Sequence, residues 1–154
     1  MFKNPELPLI VDAGTGYGRF PLIAAKNDDG KTNYLGTEIR RPVENKLFVV
    51  TLNGFQLVGR ANFWAKELDL NNCVHFTFCN ITVSLQSLLE GYPGEVTGIY
   101  IQFPDPSFKK RRIKRHIVQP SFVEACGELL PSGGLVFMQS DVESCAIYMR
   151  DMFA

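Results

Sequence analysis

An aspartate held between two prolines, with a dense run of cations after it, is the part of this sequence best suited to chemistry. Asp105 follows an apolar segment, and Pro104 and Pro106 fix φ on either side and oppose a helix there. Residues 109–115 then carry six of the 16 lysines and arginines and no acid. Crowded like charges repel each other unless an anion lies nearby. The pattern predicts a carboxylate on a stiff turn beside a surface for a polyanion.

Composition and charge limit the class of protein. The chain of 154 residues is 45% hydrophobic and has 12 phenylalanines, enough for one domain with its own core. The net charge is zero, but outside the basic run ten basic residues stand against 16 acidic ones. This asymmetry favours a polyanionic partner over the alternative of a solvated basic loop. Because no apolar run reaches membrane-spanning length, we expect a soluble intracellular protein with no membrane contact.

The cysteines favour packing over metal binding. The four cysteines contain no Cys-x-x-Cys pair. Cys73, His75 and Cys79 could share one face of a strand, which makes a metal conceivable, but no fourth ligand is evident. We therefore predict no metal, and we expect the cysteines to pack as small apolar groups in a reducing compartment.

A glycine-rich turn after the first apolar segment suits a nucleoside cofactor. Gly14, Gly16 and Gly18 let a ligand approach the backbone closely, although an ordinary tight turn would use glycines too. Two details favour S-adenosylmethionine over a nicotinamide dinucleotide. Asp12 precedes the glycines, where its carboxylate can hold a cationic amino acid group. Arg19 stands where the pyrophosphate-binding pattern needs its last glycine, and S-adenosylmethionine has no pyrophosphate.

An acid after the second apolar segment extends this prediction. Glu38 follows Tyr34–Thr37, at the predicted end of a strand. A carboxylate in that place can accept hydrogen bonds from both ribose hydroxyls of either cofactor. The alternative is an ordinary surface carboxylate.

Alternating apolar segments and helical patterns predict how these residues are positioned. We predict strands at 7–13, 33–38, 73–79, 96–103 and 135–139, and helices at 19–26, 57–70, 83–90, 120–130 and from 142. Strands joined by helices form a parallel sheet with right-handed crossovers, and its ligands bind beyond the carboxyl ends of the strands. Polar or glycine residues follow all five predicted strands: Asp12, Gly14, Glu38, Asn80, Asp105 and Asp141.

Two segments depart from a regular α/β pattern. Residues 42–56 make an unusually long connection, and Leu47–Leu52 is strand-like, so this segment is a possible insertion in a single domain spanning 1–154. The fifth strand, Leu135–Gln139, would be an exposed apolar edge if it ended the sheet. We therefore expect a domain that lacks its last strands.

With these motifs together, the chain resembles the tRNA (guanine-N7)-methyltransferase family. The resemblance rests on Val11–Gly18, Tyr34–Arg40, the segment 103–120 and Gln139–Asp141, and the Phe-Pro-Asp-Pro segment with its basic tail is the specific part. The sequence of the segment Arg60–Trp64 is similar to that of plant and cyanobacterial members of the family. The resemblance implies a Rossmann-like class I methyltransferase fold, a mostly parallel sheet flanked by helices. It also implies that S-adenosyl-L-methionine is the methyl donor and a guanosine of the tRNA variable loop is the target.

The resemblance also assigns roles by position. It makes Asp105 the catalytic carboxylate. The predicted cofactor residues are Asp12, Gly14, Gly16, Glu38, Arg40, Asn80 and Ile81, and the predicted tRNA-binding residues are Lys109, Lys110, Arg111, Arg112 and Asp141. Three departures stand out. Many bacterial members have Trp in place of Ser107, the segment 42–56 is longer than is usual in the family, and the family's C-terminal Thr-x-x-Glu motif does not occur in this chain.

The chemistry of guanine N7 limits what the protein must do. N7 already carries a lone pair, so its attack on a sulfonium methyl needs orientation and exclusion of water more than a base. A fixed carboxylate such as Asp105 can stabilise the positive charge that develops on the purine. Two alternatives remain: a non-catalytic RNA-binding paralogue or fragment, and a nicotinamide-dependent oxidoreductase, which would need a proton relay such as Tyr-x-x-x-Lys that we do not find. A partner subunit and the compartment (cytoplasm, nucleus or plastid) are left open.

Overall fold

Strands and helices alternate along the whole of the described chain. The computed structural model describes residues 2–39, 54–106 and 116–154. Its elements, in chain order, are β1 (Leu9–Ala13), α1 (Arg19–Asn27), β2 (Asn33–Glu38), α2 (Gly54–Glu67), β3 (Val74–Phe78), α3 (Ile81–Leu89), β4 (Val96–Gln102), α4 (Pro120–Leu129), β5 (Leu135–Gln139) and α5 (Glu143–Phe153).

The five strands form one parallel sheet in the order β3-β2-β1-β4-β5. The chain starts at the central strand β1, moves outward through β2 and β3, and then returns to the other side of β1 for β4 and β5. All the carboxyl ends therefore lie along one edge of the sheet, and the order reverses between β1 and β4. Ligands of such sheets bind at that reversal. The predicted Rossmann-like α/β fold is confirmed.

Helices cover both faces of the sheet and divide the core in two. The larger apolar cluster packs β1 and β4 against α3, α4 and α5, with Phe122 and Met149 fully buried in it. The smaller cluster packs α1 and α2 against β2 and β3 through Ala25, Ala61 and Phe76. Burying these side chains at about 25 cal/mol per Å² is the main force that holds helices on the sheet. The result is a rigid base below the carboxyl ends of the strands.

A side chain of α2 covers the outer edge of the sheet at β3. Asn62 donates its amide to the Phe76 carbonyl (2.9 Å) and accepts the Phe76 backbone N–H at 3.0 Å. These two groups of Phe76 face away from β2, where an edge strand leaves its backbone unpaired. The amide of Asn62 thus takes the place of a further strand.

Several predicted boundaries shift by a few residues. α2 begins at Gly54, so the last three residues of the long connection predicted over 42–56 belong to a helix. α3 begins at Ile81 instead of residue 83, because Ile81 is needed in the core with Leu85. β4 ends at Gln102, since Phe103 turns to a φ of 49°. The strand-like segment Leu47–Leu52 lies outside the described residues.

No helix among the described residues is long and apolar enough to cross a membrane. The described chain also holds no group of three or more His, Cys, Asp or Glu side chains placed to bind a metal ion. All four cysteines are unpaired thiols, and burial raises the pKa of Cys126 to about 12. Such a thiol stays protonated and packs as a small apolar group.

Candidate functional site

The glycine turn after β1 is held in place by one aromatic ring. A Cβ at Gly18 would lie 2.6 Å from the Phe76 ring and 2.9 Å from Ala61, and its φ of +72° is one that other residues adopt with strain. Only glycine therefore lets the turn rest on Phe76 and α2. At Gly16 a Cβ would meet no atom of the described residues within 4 Å, so these residues leave room for a ligand on that side of the turn.

Glu38 joins the glycine turn to the end of β2. Its carboxylate accepts the backbone N–H of Gly16 at 3.0 Å and that of Ile39 at 2.9 Å. The side chain is 6% exposed, and its place beside the open turn is the one that sequence predicts for a ribose. A carboxylate bonded to backbone N–H groups is held in one orientation.

Asp12 lies at the reversal of strand order and is 3% exposed. Its Oδ1 accepts the Gln102 side-chain amide at 3.3 Å, and the Gln102 Oε1 accepts the Gln139 amide at 3.4 Å. Burial raises the pKa of the Asp12 carboxyl; the Gln102 amide opposes the rise, and the charge of Glu38 adds to it. A desolvated carboxylate that no described cation pairs with is suited to a cationic ligand group.

Asp105 lies on the turn after β4, three residues beyond Gln102. Phe103 takes the left-handed conformation and donates its N–H to the Gln139 carbonyl at 2.9 Å, which ties the start of the turn to β5. Asp105 itself is exposed. Its charge reaches the buried His116: burial lowers the pKa of His116, and Asp105 opposes the lowering.

The remaining predicted site residues follow the other strands. Asn80 is exposed and stands at the N-cap of α3 without using its side chain to cap the helix. The Ile81 side chain is buried in the core, which leaves only its backbone at the start of α3 for the predicted contact with the cofactor. Asp141 is exposed directly after β5. Predicted residues outside the described ones are Arg40, Lys109, Lys110, Arg111 and Arg112.

The sequence did not point to Gln102, which the structure places at the centre of the site. Gln102 on β4 bridges Asp12 on β1 and Gln139 on β5. These three strands are neighbours only in the folded sheet. One signal was available, since a polar side chain ends the otherwise apolar run Ile99–Gln102. An amide that orients two other polar groups is a positioning residue.

These residues fit S-adenosyl-L-methionine. The open side of Gly16 could take the nucleoside, Glu38 could bind the ribose hydroxyls, and the buried charge of Asp12 could pair with the amino acid ammonium. S-adenosyl-L-methionine carries both a diol and an ammonium, and the donors and acceptors match them. Among the described residues, no lysine or arginine competes for the Asp12 carboxylate within an ion-pair distance.

The comparison with known proteins decides the family. A family model described as "Putative methyltransferase" matches residues 6–154. The chain belongs to this methyltransferase family. It is also 47% identical over 153 residues to the tRNA (guanine-N(7)-)-methyltransferase of Synechococcus sp. strain JA-3-3Ab, covering 99% of this chain and 57% of the relative. The methyltransferase of the same name from Trichormus variabilis is 41% identical over 155 residues, covering 100% of this chain and 65% of the relative.

This methyltransferase chain therefore spans about three fifths of the length of the curated relatives it matches. In fold, it is similar to the crystal structure of TrmN from Thermus thermophilus, with a TM-score of 0.62, 18% identity, and coverage of 92% of this chain and 36% of that one. These findings confirm the predicted methyltransferase family and the predicted Rossmann-like class I fold, and they agree with S-adenosyl-L-methionine as the cofactor.

Proposed function

We propose that this chain is the catalytic domain of a tRNA (guanine-N7)-methyltransferase, which moves a methyl group from S-adenosyl-L-methionine to N7 of a variable-loop guanosine. The observation that supports the proposal is the position of Asp12, Glu38 and Asp105 at the carboxyl ends of β1, β2 and β4, along one edge of the sheet. The names of relatives 41% and 47% identical over nearly the whole chain support the substrate. We also propose that residues 1–154 form one domain and that the protein is soluble and intracellular, in a compartment that contains tRNA.

The proposed roles follow from the chemistry of each side chain. S-adenosyl-L-methionine supplies an electrophilic methyl group on a sulfonium. Glu38 accepts the ribose hydroxyls, and Asp12 pairs with the amino acid ammonium, so the donor is oriented from both ends. Gln102 keeps the Asp12 carboxylate facing the site. The backbone N–H groups at the start of α3 and the Asn80 amide are placed for the base of the nucleoside.

Asp105 acts on the guanine. A carboxylate accepts hydrogen bonds from the guanine N1–H and amino group, which places N7 and stabilises the positive charge that the purine gains on methylation. The prolines on both sides limit how far the carboxylate can move, so little reorganisation is needed during the reaction. Lys109, Lys110, Arg111, Arg112 and Asp141 are proposed to hold the tRNA backbone and the target nucleotide beside Asp105.

The first prediction tests Asp105. Asp105→Asn keeps the size of the side chain but removes its charge, so we expect methyl transfer to unmodified tRNA to fall at least about 100-fold, the effect of one lost transition-state contact. S-adenosyl-L-homocysteine binding should stay within about twofold, since Asp105 is not proposed to touch the cofactor. Radiolabelled methyl transfer and calorimetry measure the two quantities.

Asp69→Asn is the matched control, because Asp69 is exposed after α2, toward the amino end of β3. Its activity should equal that of the wild type. Undiminished transfer by Asp105→Asn would remove the proposed role of Asp105. A wild-type chain that binds tRNA but transfers no methyl group would instead favour the alternative of a non-catalytic RNA-binding protein.

A further inference from the structure

Two arginines converge on one exposed tyrosine beside the glycine turn. The Arg19 guanidinium carbon lies 5.8 Å from the Tyr17 ring centroid, and that of Arg60 lies 5.6 Å from the same centroid. Tyr17 belongs to the turn and is 48% exposed, while Arg19 begins α1 and Arg60 lies on α2. We call Tyr17, Arg19 and Arg60 the Arg–Tyr–Arg platform.

Within the described parts of the chain, the charges of the platform are not balanced by an acid. No described carboxylate forms an ion pair with Arg19 or Arg60. Arg19 is the first residue of α1, where the helix dipole is positive, and the first turn of α1 contains no acidic residue. A cation in that position is unfavourable by itself. Two guanidinium groups and a helix N-terminus thus raise the positive potential around one aromatic ring.

The exposed aromatic surface continues along α2. Trp64 lies one helical turn beyond Arg60 and is 44% exposed. Its ring centroid is 5.7 Å from that of Phe63, which is 55% exposed. Exposed aromatic rings interleaved with arginines are typical of surfaces that bind single-stranded nucleic acid, where rings stack on bases and guanidinium groups hold phosphates.

We propose that the Arg–Tyr–Arg platform is a contact surface for the tRNA in addition to the basic run that the sequence places at 109–115. Arg19 and Arg60 bind phosphates, and the face of Tyr17 receives an unpaired base near the target guanosine. The position supports this, because Tyr17 is the neighbour of Gly16, whose N–H bonds Glu38 in the proposed cofactor site. RNA on the platform would therefore lie at the rim of that site. This inference rests on the proposed function.

The test compares two double variants with equal change of charge. Arg19→Ala/Arg60→Ala removes the platform cations, and Lys26→Ala/Lys66→Ala removes two exposed lysines from the same two helices. We expect the arginine variant to bind tRNA at least about tenfold more weakly at ~0.1 M salt and to lower the slope of log affinity against log salt by between about one and two. The lysine variant should change both quantities much less.

Tyr17→Ala tests the ring alone. It should weaken tRNA binding about tenfold with the salt slope unchanged, since stacking carries no charge. Trp64 is the only tryptophan in the chain, so its fluorescence gives an independent readout: tRNA should protect it from acrylamide in the wild type and less so in the arginine variant. S-adenosyl-L-homocysteine binding should be unchanged in every variant.

Three results would overturn the inference. Equal losses in the arginine and lysine variants would mean general charge attraction. Loss of S-adenosyl-L-homocysteine binding in Tyr17→Ala with tRNA binding intact would make Tyr17 a cofactor residue. Unchanged tRNA binding in the platform variants, with a wild type that methylates tRNA, would remove the platform and leave the proposed function standing. A wild type that binds tRNA through the platform without methylating it would support the platform and contradict the proposed function.

Discussion

The charged form of Asp12 lowers the stability of the fold but is the form suited to binding a cationic ligand group. Its carboxyl is buried, and burial raises its pKa, with the Glu38 charge adding to the effect and Gln102 opposing it. The folded protein therefore keeps this proton over a pH range in which the unfolded chain has already lost it, so Asp12 makes stability fall as pH rises through that range. A residue with this cost is typical of a binding site rather than a core.

We predict that Asp12→Asn raises Tm at pH 7 and weakens S-adenosyl-L-homocysteine binding at least about tenfold, because the ammonium loses its charged partner. The gain in Tm should be small near pH 4, close to the ordinary Asp pKa of about 3.9, and should grow with pH until the raised pKa is passed. Calorimetric scans from pH 4 to 8 measure it. A difference in Tm that does not depend on pH would contradict the titration of Asp12.

The glycine turn is fixed relative to the sheet because it packs closely on side chains of β3 and α2. Gly18 rests on Phe76 and Ala61, and Gly36 on β2 lies under the same ring, where a Cβ would be 2.4 Å from Phe76 Cδ1. The turn, β2, β3 and α2 thus share one contact. A side chain at Gly18 would push the turn away from the sheet, together with the Gly16 N–H that bonds Glu38.

We predict that Gly18→Ala lowers the free energy of unfolding by at least about 2 kcal/mol, from a positive φ and the contact with Phe76. Gly59→Ala is the matched control: Gly59 lies inside α2, and no atom of the described residues is within 4 Å of an added Cβ, so alanine should stabilise by about 0.5–1 kcal/mol. Urea unfolding measures the change in the free energy of unfolding, which should have opposite signs for the two glycine-to-alanine substitutions. Two losses of similar size would contradict the packing of the turn.

The whole sheet has two different edges. At β3 the Asn62 amide bonds the outward N–H and C=O of Phe76. At the other end, β5 pairs with β4, and no further strand among the described residues covers it. Leu135 is 49% exposed and Phe137 is 37% exposed there. The expectation of an exposed apolar edge at the fifth strand agrees with the described structure. An uncovered apolar edge strand promotes pairing between molecules.

We predict that the chain self-associates with rising concentration and that Leu135→Lys reduces the association, because a lysine on an edge strand opposes pairing. Ile23→Lys on α1 is the matched control, since Ile23 is 61% exposed and lies away from β5. It should leave the association unchanged. Sedimentation velocity over a hundredfold range of concentration measures it, and an equal effect of both lysines would mean that general solubility, not the β5 edge, is responsible.

Most of the fold was predictable because its signals are local. Alternating strand and helix patterns predicted all five strands, and parallel connection placed Asp12, Glu38 and Asp105 at one edge of the sheet. The predicted reaction agrees with the names of the relatives and remains our proposal, since the chain spans only part of their length. The roles of the individual site residues, and a partner subunit, stay predictions.

The sequence by itself determined the order of elements, the glycine turn and the acids that follow the strands, because periodicity and turn residues act over a few positions. Only the tertiary structure decided the Asp12–Gln102 bond, the Asn62 contact at the sheet edge and the Arg–Tyr–Arg platform. The first of these joins residues 90 positions apart, and the second joins residues 14 apart on different elements. Such contacts depend on strand register and helix rotation, which are set by packing across the whole sheet.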